Sequence, residues 1–141
     1  MSRVVSLRLK DDQMERLERA ARRWGRTPSE VAAALLEEAL RLRDFAFIEF
    51  RDSPIGRQAY LQGTRLAVWQ VVWLARTFDG EASRVAEHLE MPLVRIKAAL
   101  TYSAAYPSEI DLAISDNAEA AGRLPQLLPQ LEIVDVGAHP S

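Results

Sequence analysis

The feature that most constrains this chain is one short strand-like segment with no candidate partner close to it. Residues 3–9, Arg-Val-Val-Ser-Leu-Arg-Leu, alternate with the period of two that is typical of a half-buried strand. One face holds three apolar residues, Val5, Leu7 and Leu9. The other face holds Val4, Ser6 and Arg8. The next β-rich segment begins only at Phe45, and an unpaired strand exposes its backbone donors and acceptors. The pattern therefore predicts pairing with the same strand of a second chain.

Two helices are predicted directly after this strand. The first has Asp11 and Asp12 as N-cap and first-turn acids, and Gly25 as its stop. The second begins at Thr27-Pro28-Ser29-Glu30, a capping box with proline at the first helical position. A segment this small cannot bury a core as a monomer, so residues 1–44 are predicted to dimerise. The predicted dimer core consists of Val5, Leu7, Leu9, Leu17, Val31 and Leu35.

The order of strand, helix, glycine turn and capped helix resembles the ribbon-helix-helix repressors of the CopG, Arc and MetJ type. The residues that carry the resemblance are Val-Val-Ser-Leu-Arg-Leu, Trp-Gly-Arg-Thr-Pro-Ser-Glu-Val and Ala39-Leu40. It implies that residues 1–44 bind double-stranded operator DNA, with a two-stranded ribbon in the major groove. The implied base-contacting residues are Val4, Ser6 and Arg8. The implied phosphate contacts come from Arg3, Arg26, Thr27 and Ser29, the last two at a helix N-terminus.

A second domain is predicted over residues 45–121. Its β-rich segments, 45–51 and 60–68, are separated by a predicted turn at 52–56, and residues 62–64 are predicted to form a second turn or bulge. Helices are predicted at 69–78, 81–89 and 92–106, with a further helix from Pro107. Gln62-Gly63-Thr64-Arg65-Leu66-Ala67-Val68 and Ile96-Lys97-Ala98-Ala99-Leu100-Thr101-Tyr102 resemble domain-of-unknown-function family 433. The resemblance implies a small winged-helix-like domain with a helix-turn-helix core. The fold class predicted for the whole chain is mainly α with short β.

Two interpretations of this second domain remain open at this point. In one, Arg95 and Lys97 point at DNA from the second helix of the helix-turn-helix. In the other, the module binds protein or stabilises the dimer, because Glu87 and Glu90 stand close by in the sequence. The residues expected to face inward are Val85, Ala86, Leu89, Val94, Ile96 and Leu100.

Charge is distributed unevenly along the chain. The formal net charge is -2, yet residues 1–26 carry eight Arg or Lys against four Asp or Glu, a net of +4. Residues 107–141 carry one Arg against six Asp or Glu, a net of -5. The basic end suits phosphates and the acidic end suits a basic protein partner.

Residues 122–141 are predicted to be an extended partner-binding tail that is disordered when free. Pro125 and Pro129 interrupt any helix there, and the apolar residues among them lack a domain to pack in. The residues expected to bind that partner are Leu124, Leu127, Leu128, Leu131, Ile133 and Val134.

Several function classes find no support in the sequence. There is no cysteine, and His88 and His139 lie far apart, so neither a metal site nor a cofactor is expected. No nucleophile-base set or phosphate-binding glycine loop is present, which argues against an enzyme. No segment has the length of a signal peptide's apolar region or of a membrane span, so a cytoplasmic protein without a membrane partner is expected.

The hypothesis that unites these features is a VapB-type antitoxin. Family 433 domains often occur in antitoxins paired with PIN-like ribonuclease toxins, so the resemblance implies a chain that dimerises, represses its own operon and neutralises such a toxin through its C-terminal part. Two alternatives remain. One is a stand-alone repressor with a sensing or oligomerising C-terminal domain, and the other is an interaction scaffold that does not bind DNA. The homodimer is compatible with higher assembly in each case.

Overall fold

A computed structural model of the chain describes residues 2–54 and 56–117. These residues form a mainly helical protein with a two-stranded antiparallel sheet, which confirms the predicted fold class. They fall into two compact units, the first ending at Arg41 and the second beginning at Leu42. The elements in chain order are α1 (Asp11–Trp24), α2 (Pro28–Asp44), β1 (Ile48–Ser53), β2 (Gly56–Leu61), α3 (Val68–Thr77), α4 (Ala82–Leu89), α5 (Leu93–Ala105) and α6 (Pro107–Asp116).

The two helices of the first unit begin and end close to where the sequence predicts. Gly25 adopts a left-handed conformation with φ 65°, and its N–H donates to the carbonyls at the end of α1. The N-cap of α1 is Lys10, not the predicted Asp11 or Asp12. The Lys10 N–H donates to Oε1 of Gln13 at 2.9 Å, so both aspartates fall inside the first turn, where their charges favour the helix dipole.

Residues 3–9 do not form a strand in the single chain. Among residues 2–54 and 56–117 this segment has no paired strand, because both partners of the sheet come from β1 and β2. Val5 and Leu7 are 78% and 71% exposed, and Leu9 is half-buried. A strand needs a neighbour to satisfy its backbone groups. Strand formation across a dimer therefore stays a prediction.

The strand pair of the second unit is shorter than expected, and its turn is tighter. Pairing continues from Ile48 opposite Leu61 to Ser53 opposite Gly56, although a turn was predicted over residues 52–56. The predicted second strand, residues 60–68, ends at Leu61 apart from a single bridge between Tyr60 and Ala67.

A side-chain turn at Thr64 explains where β2 ends. The Thr64 hydroxyl donates to the carbonyl of Leu61 at 2.9 Å and accepts the N–H of Leu66 at 3.0 Å. Threonine hydroxyls compete with strand pairing in this way. The chain therefore reverses direction after β2 and enters α3 at Val68, one residue before the predicted start.

The core of the second unit is built around α3, which packs against α4, α5, α6 and β2. Trp69 is buried in this core, and Trp73 packs against it. Val94 was expected to face inward and is 57% exposed, so that expectation was wrong. Ile96 and Ala99 form the buried stripe of α5, and Val94 lies 200° around the helix from Ile96 at 100° per residue. The largest fully buried side chains of this core are Tyr102, Leu61, Leu66, Leu74 and Ile96.

Two predicted features extend past the described residues. The helix predicted from Pro107 begins there and ends at Asp116, with Asn117 as its C-cap. The tail predicted at 122–141 lies wholly outside the described residues, as does the end of the domain predicted over residues 45–121. Within residues 2–54 and 56–117, no helix has the length and apolar character needed to cross a bilayer.

Tyr102 provides a test of this core. Its side chain is fully buried, its ring meets Phe45 edge-on at 5.3 Å between centroids, and its hydroxyl donates to Oε2 of Glu109 at 2.8 Å. Tyr102→Ala should lower the free energy of unfolding of the second unit by about 3–5 kcal/mol, as for other buried aromatic truncations. Urea unfolding followed by circular dichroism measures the change. Val94→Ala, at a side chain 57% exposed, is the control and should change stability by less than about 0.5 kcal/mol.

Candidate nucleic-acid interface

The predicted base-contacting residues lie on an exposed arm that precedes α1. Val4, Ser6 and Arg8 are all exposed, and so is Arg3. Arginine presents a planar fork of donors that matches the major-groove edge of guanine. The geometry leaves these side chains accessible to a ligand, and their contact with DNA stays a prediction.

Three of the four predicted phosphate-binding residues, Arg26, Thr27 and Ser29, lie at the beginning of α2, and Arg3 lies on the arm. The Thr27 N–H donates to Oε1 of Glu30 at 3.0 Å, and the Glu30 N–H donates to the Thr27 hydroxyl at 3.2 Å. The predicted capping box is therefore confirmed. An open depression of about 450 Å³ adjoins this turn, and Arg22 and Arg26 contribute to its lining.

Glu30 constrains how this turn can hold a phosphate. The backbone N–H of Thr27 lowers the pKa of Glu30, and the Thr27 hydroxyl and Arg26 lower it further. A guanidinium nitrogen of Arg26 lies 3.8 Å from Oε2 of Glu30, so a phosphate must compete with a carboxylate for this cation. Pro28 has no N–H, and the box uses those of Thr27 and Glu30. Among the described residues in the first turn of α2, this leaves Ser29 with a backbone N–H that can donate to a phosphate.

The predicted dimer-core residues are mostly uncovered in the single chain. Val31 is fully buried, Leu17 is half-buried and Leu35 is exposed. The structure adds two residues that the sequence analysis missed, Leu36 and Leu40, which are about half exposed on α2. Their spacing of four residues was the available signal, because residues four apart share a helix face.

In the second unit, Arg95 is engaged by the protein itself. Its guanidinium donates to the carbonyl of Gln62 and lies over the ring of Phe47, 5.6 Å from the centroid. Leu93 and Val94, which precede it on α5, present apolar surface to solvent, and Lys97 is exposed. This arrangement favours the interpretation in which the second unit contacts protein over the one in which Arg95 reads DNA.

The Gln62-Gly63-Thr64 turn is held by three charged side chains. The Gly63 N–H donates to Oε1 of Glu49 at 2.6 Å, while Arg51 donates to the carbonyl of Thr64 and lies 4.2 Å from the centroid of the Tyr60 ring. With Arg95, these groups fix the turn from β1, β2 and α5. The motif that resembles family 433 therefore has a structural role in this chain.

The C-terminal tail is the other predicted binding site. The six predicted toxin-binding residues, from Leu124 to Val134, lie outside the described residues. Within the described ranges, no group of three or more His, Asp or Glu side chains is placed to hold a metal ion.

Comparisons of the chain with family models, with curated proteins and with solved structures each found no match.

The capping box gives a test at the predicted phosphate site. Thr27→Ala removes one of the two reciprocal bonds and should cost about 1 kcal/mol of stability at fixed protein concentration. The pKa of Glu30 should rise but stay below its ordinary value, because the larger cause, the Thr27 N–H, remains. Carbon-detected NMR titration of the Glu30 carboxyl measures this.

The sign of the pH dependence follows from the same shift. Because folding lowers the pKa of Glu30, its contribution to stability is present above the unfolded pKa and is lost as the pH falls through the folded pKa. Ser29→Ala is the matched control, since its hydroxyl takes part in neither bond of the box. An unchanged Glu30 pKa in Thr27→Ala would show that the hydroxyl does not stabilise the carboxylate.

Proposed function

We propose that this chain is a ribbon-helix-helix antitoxin that binds operator DNA as a homodimer. One observation carries the proposal: an exposed arm of alternating apolar and polar residues directly precedes two helices, the second of which has a capping box and exposed leucines. Val5 and Leu7 on the arm and Leu36 and Leu40 on α2 together leave a large apolar surface uncovered in the single chain. Pairing two arms as a ribbon over four helices buries such a surface and satisfies the backbone of the arm.

The charge of the first unit supports DNA as the ligand. The net of +4 over residues 1–26 is doubled in a dimer, within a chain that is acidic as a whole. Phosphate attraction supplies most of the non-specific affinity of DNA-binding proteins, and side chains on the ribbon then read the bases. In this proposal Arg8 reads guanine and Ser6 and Val4 add contacts, while Arg3, Arg26 and the beginning of α2 contact phosphates.

The second unit and the tail complete the proposal on the protein side. We assign the winged-helix-like unit a role in protein contact because Arg95 is held by the Gln62 carbonyl and its neighbours on α5 are apolar. The acidic C-terminal part, with its leucine-rich tail, then binds a basic toxin of the PIN-like ribonuclease class in the cytoplasm. We assign the chain no catalytic step of its own.

Arg8→Ala tests sequence reading. A duplex is first selected from a random-sequence pool by the unchanged protein, and its affinity is compared with that of a scrambled duplex. The two Arg8 side chains of a dimer should each contribute about 1–3 kcal/mol of discrimination between the selected and the scrambled duplex. The affinity for the selected duplex relative to the scrambled one should therefore fall at least about 30-fold in Arg8→Ala. Fluorescence anisotropy at fixed salt measures both affinities.

Arg3→Ala is the matched control on the same arm. A phosphate contact should weaken binding to both duplexes alike and reduce the salt dependence. Analytical ultracentrifugation should find both variants dimeric. Equal affinity ratios for Arg8→Ala and the unchanged protein would contradict reading by the ribbon, and a protein that selects no duplex would support the scaffold alternative.

Deletion of residues 118–141 tests the division of roles. The deletion begins after Asn117 because Ile110 and Ile114 of α6 are part of the core of the second unit. Operator binding should be unchanged within about twofold, whereas neutralisation of the product of the neighbouring reading frame should be lost, since the tail supplies the toxin contacts. Growth on co-expression and anisotropy measure the two effects. Neutralisation that survives the deletion would contradict the role of the tail.

A further inference from the structure

Two grooves of the second unit meet at Trp69. The first, about 260 Å³, lies between β2 and α6 and is lined by residues that include Arg57, Ile110 and Leu112. The second, about 170 Å³, includes Tyr60 and Arg65. Gln58 and Trp69 line both grooves, and we call these two adjoining grooves together the Trp69 channel.

The size and lining of the Trp69 channel suit side chains of a peptide. Each of its grooves is smaller than the roughly 300–1,000 Å³ of typical small-molecule sites. Leu112 is an apolar side chain 63% exposed on the wall of the first groove. Aromatic side chains that line a groove are the usual receptors for proline-containing extended segments. The rim carries both signs of charge, including Arg57 and Asp116, so apolar contact and shape decide the occupant.

The described part of the chain ends beside the channel, and the sequence that follows contains such a segment. Asp116 lines the first groove and Asn117 lines the second, so the chain passes between them as it leaves the described residues. The 24 residues that follow include Leu124-Pro125-Gln126-Leu127-Leu128-Pro129-Gln130-Leu131, in which proline disfavours helix and favours extended backbone. Six residues lie between Asn117 and Leu124, and the seven extended residue steps that join these two span at most about 25 Å.

We propose that residues 124–131 dock in the Trp69 channel of the same chain. The short tether makes this contact intramolecular, which gives an effective concentration in the millimolar range even for weak contacts. The occupied channel covers Leu112 and the edge of Trp69. This inference goes beyond the proposed function, and it requires neither DNA nor a toxin. It replaces the expectation from the sequence that residues 124–131 are disordered when free. If the tail also binds a toxin, that partner must displace it from the channel.

Hydrogen exchange of the full-length protein tests the docking. Backbone amides of residues 124–131 should exchange at least about fivefold more slowly than their intrinsic rates, because docking protects them. Leu112→Asp should return them to within about twofold of those rates. Val94→Asp is the matched control: Val94 is exposed to a similar degree, belongs to the same unit and does not line either groove. It should leave the protection unchanged.

A photo-crosslinking residue at position 127 locates the occupant. It should form crosslinks to β2, α3 or α6, and mixed light and ¹⁵N-labelled chains should give crosslinks within one chain. Crosslinks between chains would overturn the proposal in favour of docking onto a second copy. Unprotected amides, or protection that Leu112→Asp leaves intact, would also overturn it. Both measurements use the chain alone, so their failure is separate from any loss of operator binding or neutralisation.

Discussion

The backbone of residues 3–9 needs a partner that the single chain does not supply within its described residues. Every peptide N–H and carbonyl must find a hydrogen bond in a folded structure, and an extended arm finds one in water or in a second strand. The apolar face of this arm makes water the poorer choice, since Val5 and Leu7 gain by burial. In the proposed dimer, the pairing that satisfies the arm also forms the surface that reads DNA. Folding of the first unit, dimerisation and recognition then become one equilibrium.

The beginning of α2 shows how local stability and ligand binding compete at one turn. The capping box satisfies the Thr27 and Glu30 donors inside the chain, and it places a carboxylate beside Arg26. A helix N-terminus attracts anions in general, yet here the box already supplies one. In the proposed complex, the phosphate is left with the Ser29 N–H and with the arginines around the depression. The same residues that fix the helix therefore limit the strength of the phosphate contact.

The second unit differs from the first because its core is complete. Tyr102, Leu61 and Leu66 are fully buried, and the turn between β2 and α3 is held by Glu49, Arg51 and Arg95. Buried or partly buried charges of this kind are stable only when they are well hydrogen-bonded. The sequence allowed Arg95 to contact DNA, but its guanidinium donates to the Gln62 carbonyl of this turn. Exposed apolar residues on α5 and α6 then remain as the surfaces on which this unit can bind a segment of protein.

The sequence by itself determined the mainly helical fold class, the left-handed stop at Gly25, the capping box at Thr27 and the presence of a strand pair. These depend on residues within a few positions of one another, so local pattern is sufficient. The exposure of Val94 and the engagement of Arg95 were decided only by the tertiary structure. Gln62 and Phe47 both contact Arg95 although they lie far from it in the sequence. Local spacing carries no information about which distant carbonyl or ring meets a given side chain, because that is set by how the elements pack.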